Sequence, residues 1–355
     1  MRVTRLLVFV VLAGCSGTGG VFSQGTVESG GSSTALAFTT LGDAAGPPDV
    51  AIISPTRGVV DVLTQTAGAW QSVGSFFAGG AADQIVGGRI GGRGVVAVLD
   101  QSGTITILGA DPQFAHRLTD PFQVFRRTRN GAPVDSTPPG RGMALGDLDG
   151  DGSDELVVGA PGLGIAVIAD LGKLLAKPVS AEQFPAANGF RYDAGHAPGA
   201  VAVVDFDGDG KPDVVALDDD EPVLRVYGNF GGADKLGTPA LIDLPAPGKQ
   251  VVGTGCAPAP VVILLGDGRM VTVGKDGKVS PAVTDLVPVK QLAASQSAMV
   301  MTSGATTGVA VYDACATTGS FPRVSSVSAM AIGPTEMALL GADGKTVSLF
   351  QMVGY

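Results

Sequence analysis

Residue types that carry catalysis are scarce in this 355-residue chain, which has two His (His116 and His196), three Cys and one Trp. It contains no His-Glu-x-x-His, Cys-x-x-Cys, Gly-x-Ser-x-Gly or Gly-x-x-x-x-Gly-Lys-Ser/Thr, so the commonest metallohydrolase, redox, serine-hydrolase and nucleotide-binding signatures are missing. Charge is thin as well. Charged residues make up 16% of the chain, and 23 Lys and Arg stand against 33 Asp and Glu for a net charge of −10. A general nucleic-acid binder needs a basic face to neutralise phosphates, and that class is excluded. The longest run of large apolar residues, at 6–12, falls far short of the roughly 20 that a membrane-spanning helix needs. An apolar share of 45% is nevertheless too high for a disordered chain and is enough to build a core. Gly and Pro are abundant, with 54 and 23 copies. They punctuate the chain into short pieces and argue against long helices.

The first twenty residues combine Arg2 and Arg5, the apolar run and a small-residue stretch, Leu12-Ala13-Gly14-Cys15. This is the layout of a removable export signal. The Leu-Ala-Gly-Cys arrangement resembles the lipobox of bacterial lipoproteins. That resemblance implies a signal peptide at 1–14, lipidation of Cys15, and a Gly-rich tether at 15–20 holding the chain on a membrane of the cell envelope. Several acyl chains on one residue give stable attachment, and Ser16 after the Cys implies the outer membrane. An exported chain meets an oxidising compartment, so Cys256 and Cys315 either pair in a disulfide or remain as two buried thiols.

Internal repetition decides the fold class. ALGDLDGDGSDELVVGAP from Ala144 and AVVDFDGDGKPDVVALDD from Ala202 are near copies, each reading as an apolar strand, an Asp/Gly loop and a second apolar strand. Weaker versions begin at Thr39, Gly87, Val251, Ala293 and Met330, which makes seven units of about 46 residues, the length of a four-stranded propeller blade. The expectation is an all-β, seven-bladed β-propeller of four-stranded antiparallel blades over 21–355. Asp100-Gln101-Ser102-Gly103, Gly266-Asp267-Gly268 and Ala342-Asp343-Gly344 supply hairpin turns between second and third strands. The last unit stops after its third strand, while the strand-like segment 21–28 precedes the first unit without a partner. The sequence therefore predicts that 21–28 is the outer strand of the last blade and closes the ring.

The two strong loops set Asp147, Asp149 and Asp151, and Asp205, Asp207 and Asp209, two residues apart, with Glu155 and Asp213 following. Intervening Gly residues let the backbone curl and turn the carboxylates inward. Such a cluster repels itself unless a cation neutralises it, and all-oxygen ligation of flexible geometry selects Ca²⁺. These are not EF-hands, because Val158 and Ala216 occupy the twelfth positions and strands follow where a helix is required. The Asp-x-Asp-Gly-Asp-Gly-x-x-Asp/Glu pattern resembles FG-GAP (VCBS-type) repeats, the units of the integrin α-subunit propeller and of many exported bacterial propellers. The resemblance implies two structural Ca²⁺ sites and adds the carbonyls of Ser153 and Lys211 to the ligands. The other five units have lost the ligand set; Asp43 and Asp49 survive in the first, and Cys256-Ala257-Pro258 stands in the fifth.

Extra length collects in two segments, from Pro121 and from Phe184, both read as connections between blades on the face opposite the acidic loops. Arg126, Arg127 and Arg129 there suit anionic groups, and Phe190 and Tyr192 offer aromatic contact area. By analogy with integrins, this face would bind an envelope or extracellular protein, the chain itself being a monomer that binds no nucleic acid. The alternative is a hydrolase or lyase acting on an exported polymer at the propeller channel, with Asp218, Asp220 or His196 in the chemistry.

Overall fold

In the computed structural model the strands most enclosed are those the repeats place in the middle of each unit. Asp49–Ser54, Asp213–Asp218 and Val261–Leu265 are buried at every position, whereas outer strands such as Ala69–Phe77 and Ala240–Asp243 are largely exposed. Continuous burial of Val, Ala, Ile and Leu requires protein against both faces of the sheet. The structure describes residues 20–353, apart from 32, 42–47, 79–80, 112–113, 118–121, 124–127, 130–131, 134–141, 161–163, 173–188, 193–194, 196–197, 282–287, 296–297, 304–308, 314–318 and 321–326.

The described residues are all-β with almost no helix, and no helix among them is long and apolar enough to cross a membrane. They form a series of antiparallel sheets, nearly all four-stranded. Sheet one holds Ala35–Thr39, Asp49–Ser54, Val59–Thr66 and Ala69–Phe77. Sheet two holds Ala82–Ile90, Arg93–Asp100 and Thr104–Asp111, and both Phe114–Arg117 and Phe122–Gln123 pair with its third strand. Sheet three holds Gly142–Gly146, Glu155–Ala160, Gly164–Ile168 and Gly189–Tyr192. Sheet four holds Pro198–Val204, Asp213–Asp218, Val223–Tyr227 and Ala240–Asp243. Sheet five holds Gly248–Gly253, Val261–Leu265, Met270–Val273 and Val279–Pro281, and sheet six Val289–Ala294, Ala298–Ser303, Val309–Asp313 and Gly319–Ser320. Sheet seven holds Val327–Ile332, Glu336–Gly341 and Thr346–Val353, completed on its outer edge by the N-terminal strand Gly20–Glu28. A two-stranded ribbon, Thr128–Arg129 with Ala132–Pro133, lies between sheets two and three in sequence.

First strands lie innermost. Ala35–Thr39 touches Ala82–Ile90, which touches Gly142–Gly146, and the contacts continue sheet by sheet until Val327–Ile332 returns to Ala35–Thr39. The apolar core is divided in the same way, one cluster per neighbouring pair of sheets. Ala51 and Ile53 pack towards sheet two with Val96 and Val98, while Val50 and Ile52 on the opposite side of the same strand pack towards sheet seven with Leu340 and Leu349. The period-two alternation of a strand thus serves two interfaces at once. This arrangement is a β-propeller.

Closure is direct. Gly20–Glu28 runs antiparallel to Thr346–Val353, from Gly20 opposite Val353 to Glu28 opposite Thr346, with a bulge between Ser23 and Gly25. The Trp70 indole N–H donates to Gln24 Oε1 at 3.1 Å and ties this strand to the outer strand of sheet one. A second device, not anticipated from the sequence, recurs on the inner strands. Each inner strand of sheets two, five and six bulges just before a glutamine, Gln84, Gln250 or Gln291. Gln250 Oε1 accepts the Leu292 N–H at 3.0 Å, and Gln291 Nε2 donates to the Ser328 carbonyl, so these two glutamines staple sheet five to sheet six and sheet six to sheet seven.

Phe190 and Tyr192 need a correction of place. The sequence reading assigns them to a connecting loop, yet Gly189–Tyr192 is the outer strand of sheet three, paired with Ile165 to Ile168. Phe190 is half-buried against the core between sheets three and four.

Candidate metal centre

The acidic loops join the first and second strands of sheets three and four, at 147–154 and 205–212. Their folding is local and nearly identical. Asp147 accepts the N–H groups of Gly150 (2.7 Å), Asp151 (3.1 Å) and Gly152 (2.9 Å). In the second loop Asp205 accepts those of Gly208 (2.8 Å) and Gly210 (3.0 Å). The third and fifth carboxylates each accept an N–H two residues on, as with Asp149 from Asp151 and Asp207 from Asp209. Gly150, Gly152, Gly208 and Gly210 all have φ between 79° and 86°, the left-handed region that glycine enters without strain. Two alternating Asp-Gly steps therefore wind each loop around its carboxylates.

One oxygen from each of Asp147, Asp149 and Asp151 lies within 4.8 Å of the others, and the same holds for Asp205, Asp207 and Asp209. Three like charges at that separation disfavour one another, and an all-oxygen set of this kind fits a hard divalent cation. Glu155 and Asp213, expected as fourth ligands, stand apart from these triplets. Both are buried at the start of a second strand, and their carboxylates accept the N–H groups of Leu148 (2.6 Å) and Phe206 (2.9 Å). Burial pushes Glu155 up to about 8, the Leu148 N–H pulls it back, and the charges of Asp149, Asp147 and Asp151 push it further up. Burial also raises Asp213, against the N–H groups of Asn229 and Phe206 that lower it. Both residues act here as anchors at the base of a loop. Lys211 places its ammonium 3.1 Å from Asp209 Oδ2, and its N–H and side-chain hydrogen bonds hold that carboxyl below the ordinary aspartate value.

Each loop is fixed from outside as well. Asp154 Oδ2 accepts the Arg89 N–H at 2.6 Å and Ser153 Oγ accepts the Gly91 N–H at 3.1 Å, which fastens the first loop to the hairpin of sheet two. Asn229, from sheet four, contacts both loops. Sequence reasoning missed it, although the Gly228-Asn229-Phe230-Gly231-Gly232 stretch is a turn signal standing beside a near-perfect repeat. Asp147 and Asp205 also line the axial cavity of about 1060 Å³, whose walls are otherwise mainly apolar inner-strand residues such as Leu36, Ile85, Met143 and Leu292.

The other sequence candidates are dispersed. Asp218 is fully buried, lies 3.6 Å from the Arg225 guanidinium and accepts the N–H groups of Asp220 and Glu221. It is the organising residue of a turn, and neither it nor Asp220 lines the axial cavity. Tyr192 donates its hydroxyl to the Ala233 carbonyl at 2.7 Å and meets Tyr227 edge-on at 6.1 Å. Arg129 takes part in the small ribbon through its backbone. Cys256 is buried and disulfide-bonded. Cys15, Arg126, Arg127, His196 and Cys315 lie outside the described residues.

Residues 139–174, which contain the first acidic loop, match the FG-GAP repeat family. No curated protein matches the chain in sequence. Among solved structures, it is similar to BBS1N in its crystal structure with ARL6DN, soaked with lead, at 14% identity and a TM-score of 0.66 over 93% of this chain and 96% of that one. The mercury-soaked crystal of the same complex aligns at 13% identity and a TM-score of 0.62, over 94% and 96%. Identities this low speak to the shared fold, and the coverage means that the whole propeller is shared.

Proposed function

We propose that the chain is a seven-bladed, calcium-stabilised β-propeller, lipid-anchored in the bacterial cell envelope at its outer membrane, that acts as a protein-interaction module. The observation that carries the calcium reading is the pair of matching Asp triplets, each with three carboxylates gathered within 4.8 Å. Asp147, Asp149 and Asp151 would hold one ion and Asp205, Asp207 and Asp209 the other, and the ions would neutralise like charges that otherwise strain the loops. The closed cycle of inner strands favours seven blades. A role in protein binding rests on the propeller architecture, on the FG-GAP match and on the solved relative being a complex with ARL6DN.

Calcium added to the chelated protein should raise its melting temperature by a few degrees. Ligand linkage at tenfold excess over the dissociation constant gives about 1.4 kcal/mol per site. Asp147→Asn combined with Asp205→Asn should abolish the rise, and an unchanged melting curve in the native protein would refute the metal sites.

The interaction role is tested by crosslinking in intact cells followed by membrane fractionation. The native chain should sediment with membranes, crosslinked to an envelope protein. Replacing Arg126, Arg127 and Arg129 by Ala should remove the crosslink but not the sedimentation, whereas Cys15→Ser should release the chain from the membrane fraction. A crosslink that survives the triple change rejects that binding face.

A further inference from the structure

Asn229 lies between the third and outer strands of sheet four, is 4% exposed, and has every polar side-chain atom engaged. Its Nδ2 donates to the Leu148 carbonyl at 2.6 Å and to the Pro212 carbonyl at 2.8 Å. Leu148 sits between Asp147 and Asp149 in the first acidic loop, and Pro212 precedes Asp213 at the end of the second. A single amide group therefore spends one hydrogen on each loop. Its remaining atoms are pinned: Oδ1 accepts the N–H groups of Gly231 and Gly232, both at 2.9 Å, and the backbone N–H donates to Asp213 Oδ1 at 2.7 Å. The amide cannot swing towards one loop without stretching its bond to the other. Both acceptors are main-chain carbonyls, so the amide senses the path of each loop's backbone. The Leu148 N–H is bonded to Glu155, so this peptide segment is gripped from both sides.

We propose that Asn229 is a positioning residue that couples the two acidic loops, so that ordering one loop by a cation fixes the carbonyl against which the other is held, and the two sites fill cooperatively. The proposal rests on the cation reading of the loops. Coupling of this kind is reciprocal. A shared buried donor pair should give a coupling factor of about fivefold, at the lower end of the usual range.

The test uses the full chain, chelated and titrated with Ca²⁺. In the native protein, calorimetry should show the second ion binding more tightly than independent sites allow. In Asn229→Ser, two ions should bind independently. Serine removes both Nδ2 donors while retaining an oxygen that can accept the Gly231 and Gly232 amides. A second measurement does not depend on that variant folding. With Asp207→Asn and Asp209→Asn disabling the second loop, Ca²⁺ should slow hydrogen exchange at 147–154 and also at 205–212, which cannot bind the ion itself. Independent binding in the native protein, or protection confined to 147–154, overturns the coupling while leaving the two sites standing. An absence of any binding heat overturns the cation reading and the coupling with it.

Discussion

Deleting Gly20–Glu28 should destabilise the propeller on the order of 5 kcal/mol. The strand contributes a ladder running from Gly20 opposite Val353 to Glu28 opposite Thr346, and each ladder bond is worth roughly 0.5–1.5 kcal/mol net. Val21 and Val27, half-buried against neighbouring core clusters, leave with it, and each withdraws about 1 kcal/mol of apolar burial. Thr346–Val353 would become an exposed edge carrying the partly buried Phe350, a template for association with other chains. Thermal unfolding with light scattering checks this. A lowered, broadened transition with aggregation is expected, and a melting curve superposable on that of the native chain would show that the strand closes nothing.

Gly142→Val should cost about 3 kcal/mol or more, because the inner strands approach too closely for a side chain. A Cβ at Gly142 would collide with the carbonyl oxygen of Gly199 on the neighbouring inner strand. Backbone cannot yield as a flexible side chain would, so the substitution overpacks the interface between sheets three and four. Gly150→Ala is the control. A Cβ there meets nothing within 4 Å, and its φ of 79° leaves only the conformational cost of a left-handed residue, about 1–2 kcal/mol. Urea unfolding of the two variants should separate them in that order. Equal destabilisation would mean that the inner strands are free to move apart.

What could be read from the residues was whatever repeats. The seven stretches starting at Thr39, Gly87, Ala144, Ala202, Val251, Ala293 and Met330 each fall in a separate sheet, because a run of small branched residues ended by an Asp/Gly turn has few other ways to satisfy its backbone. The leftover segment 21–28 was legible for a related reason, since a unit lacking its outer strand and a strand lacking a unit complete each other. Features that occur once were hidden. Gly189–Tyr192 is only four residues long and mixes Phe and Tyr with Arg191, so nothing in its pattern distinguishes an outer strand from a loop. Asn229 acts across sheets, and its partners are main-chain carbonyls, which leave no mark in the sequence. Gln84, Gln250 and Gln291 were readable in principle. Each follows Asp or Lys and precedes Ile, Val or Leu at the same place in its unit, but a polar pair ahead of an apolar run reads as the end of a strand until its bulge is known.

The pairing of Gly20 with Val353 also dictates an order of events during synthesis. Gly20–Glu28 must wait, without its mate, until Thr346–Val353 has left the ribosome. Sheets one to six, being built from consecutive segments, can assemble in the meantime from neighbours close along the chain. Pairing these two strands is the most distant contact along the chain among the described residues and the slowest to search for, so the unlatched ring is the species most exposed to mispairing before folding is complete.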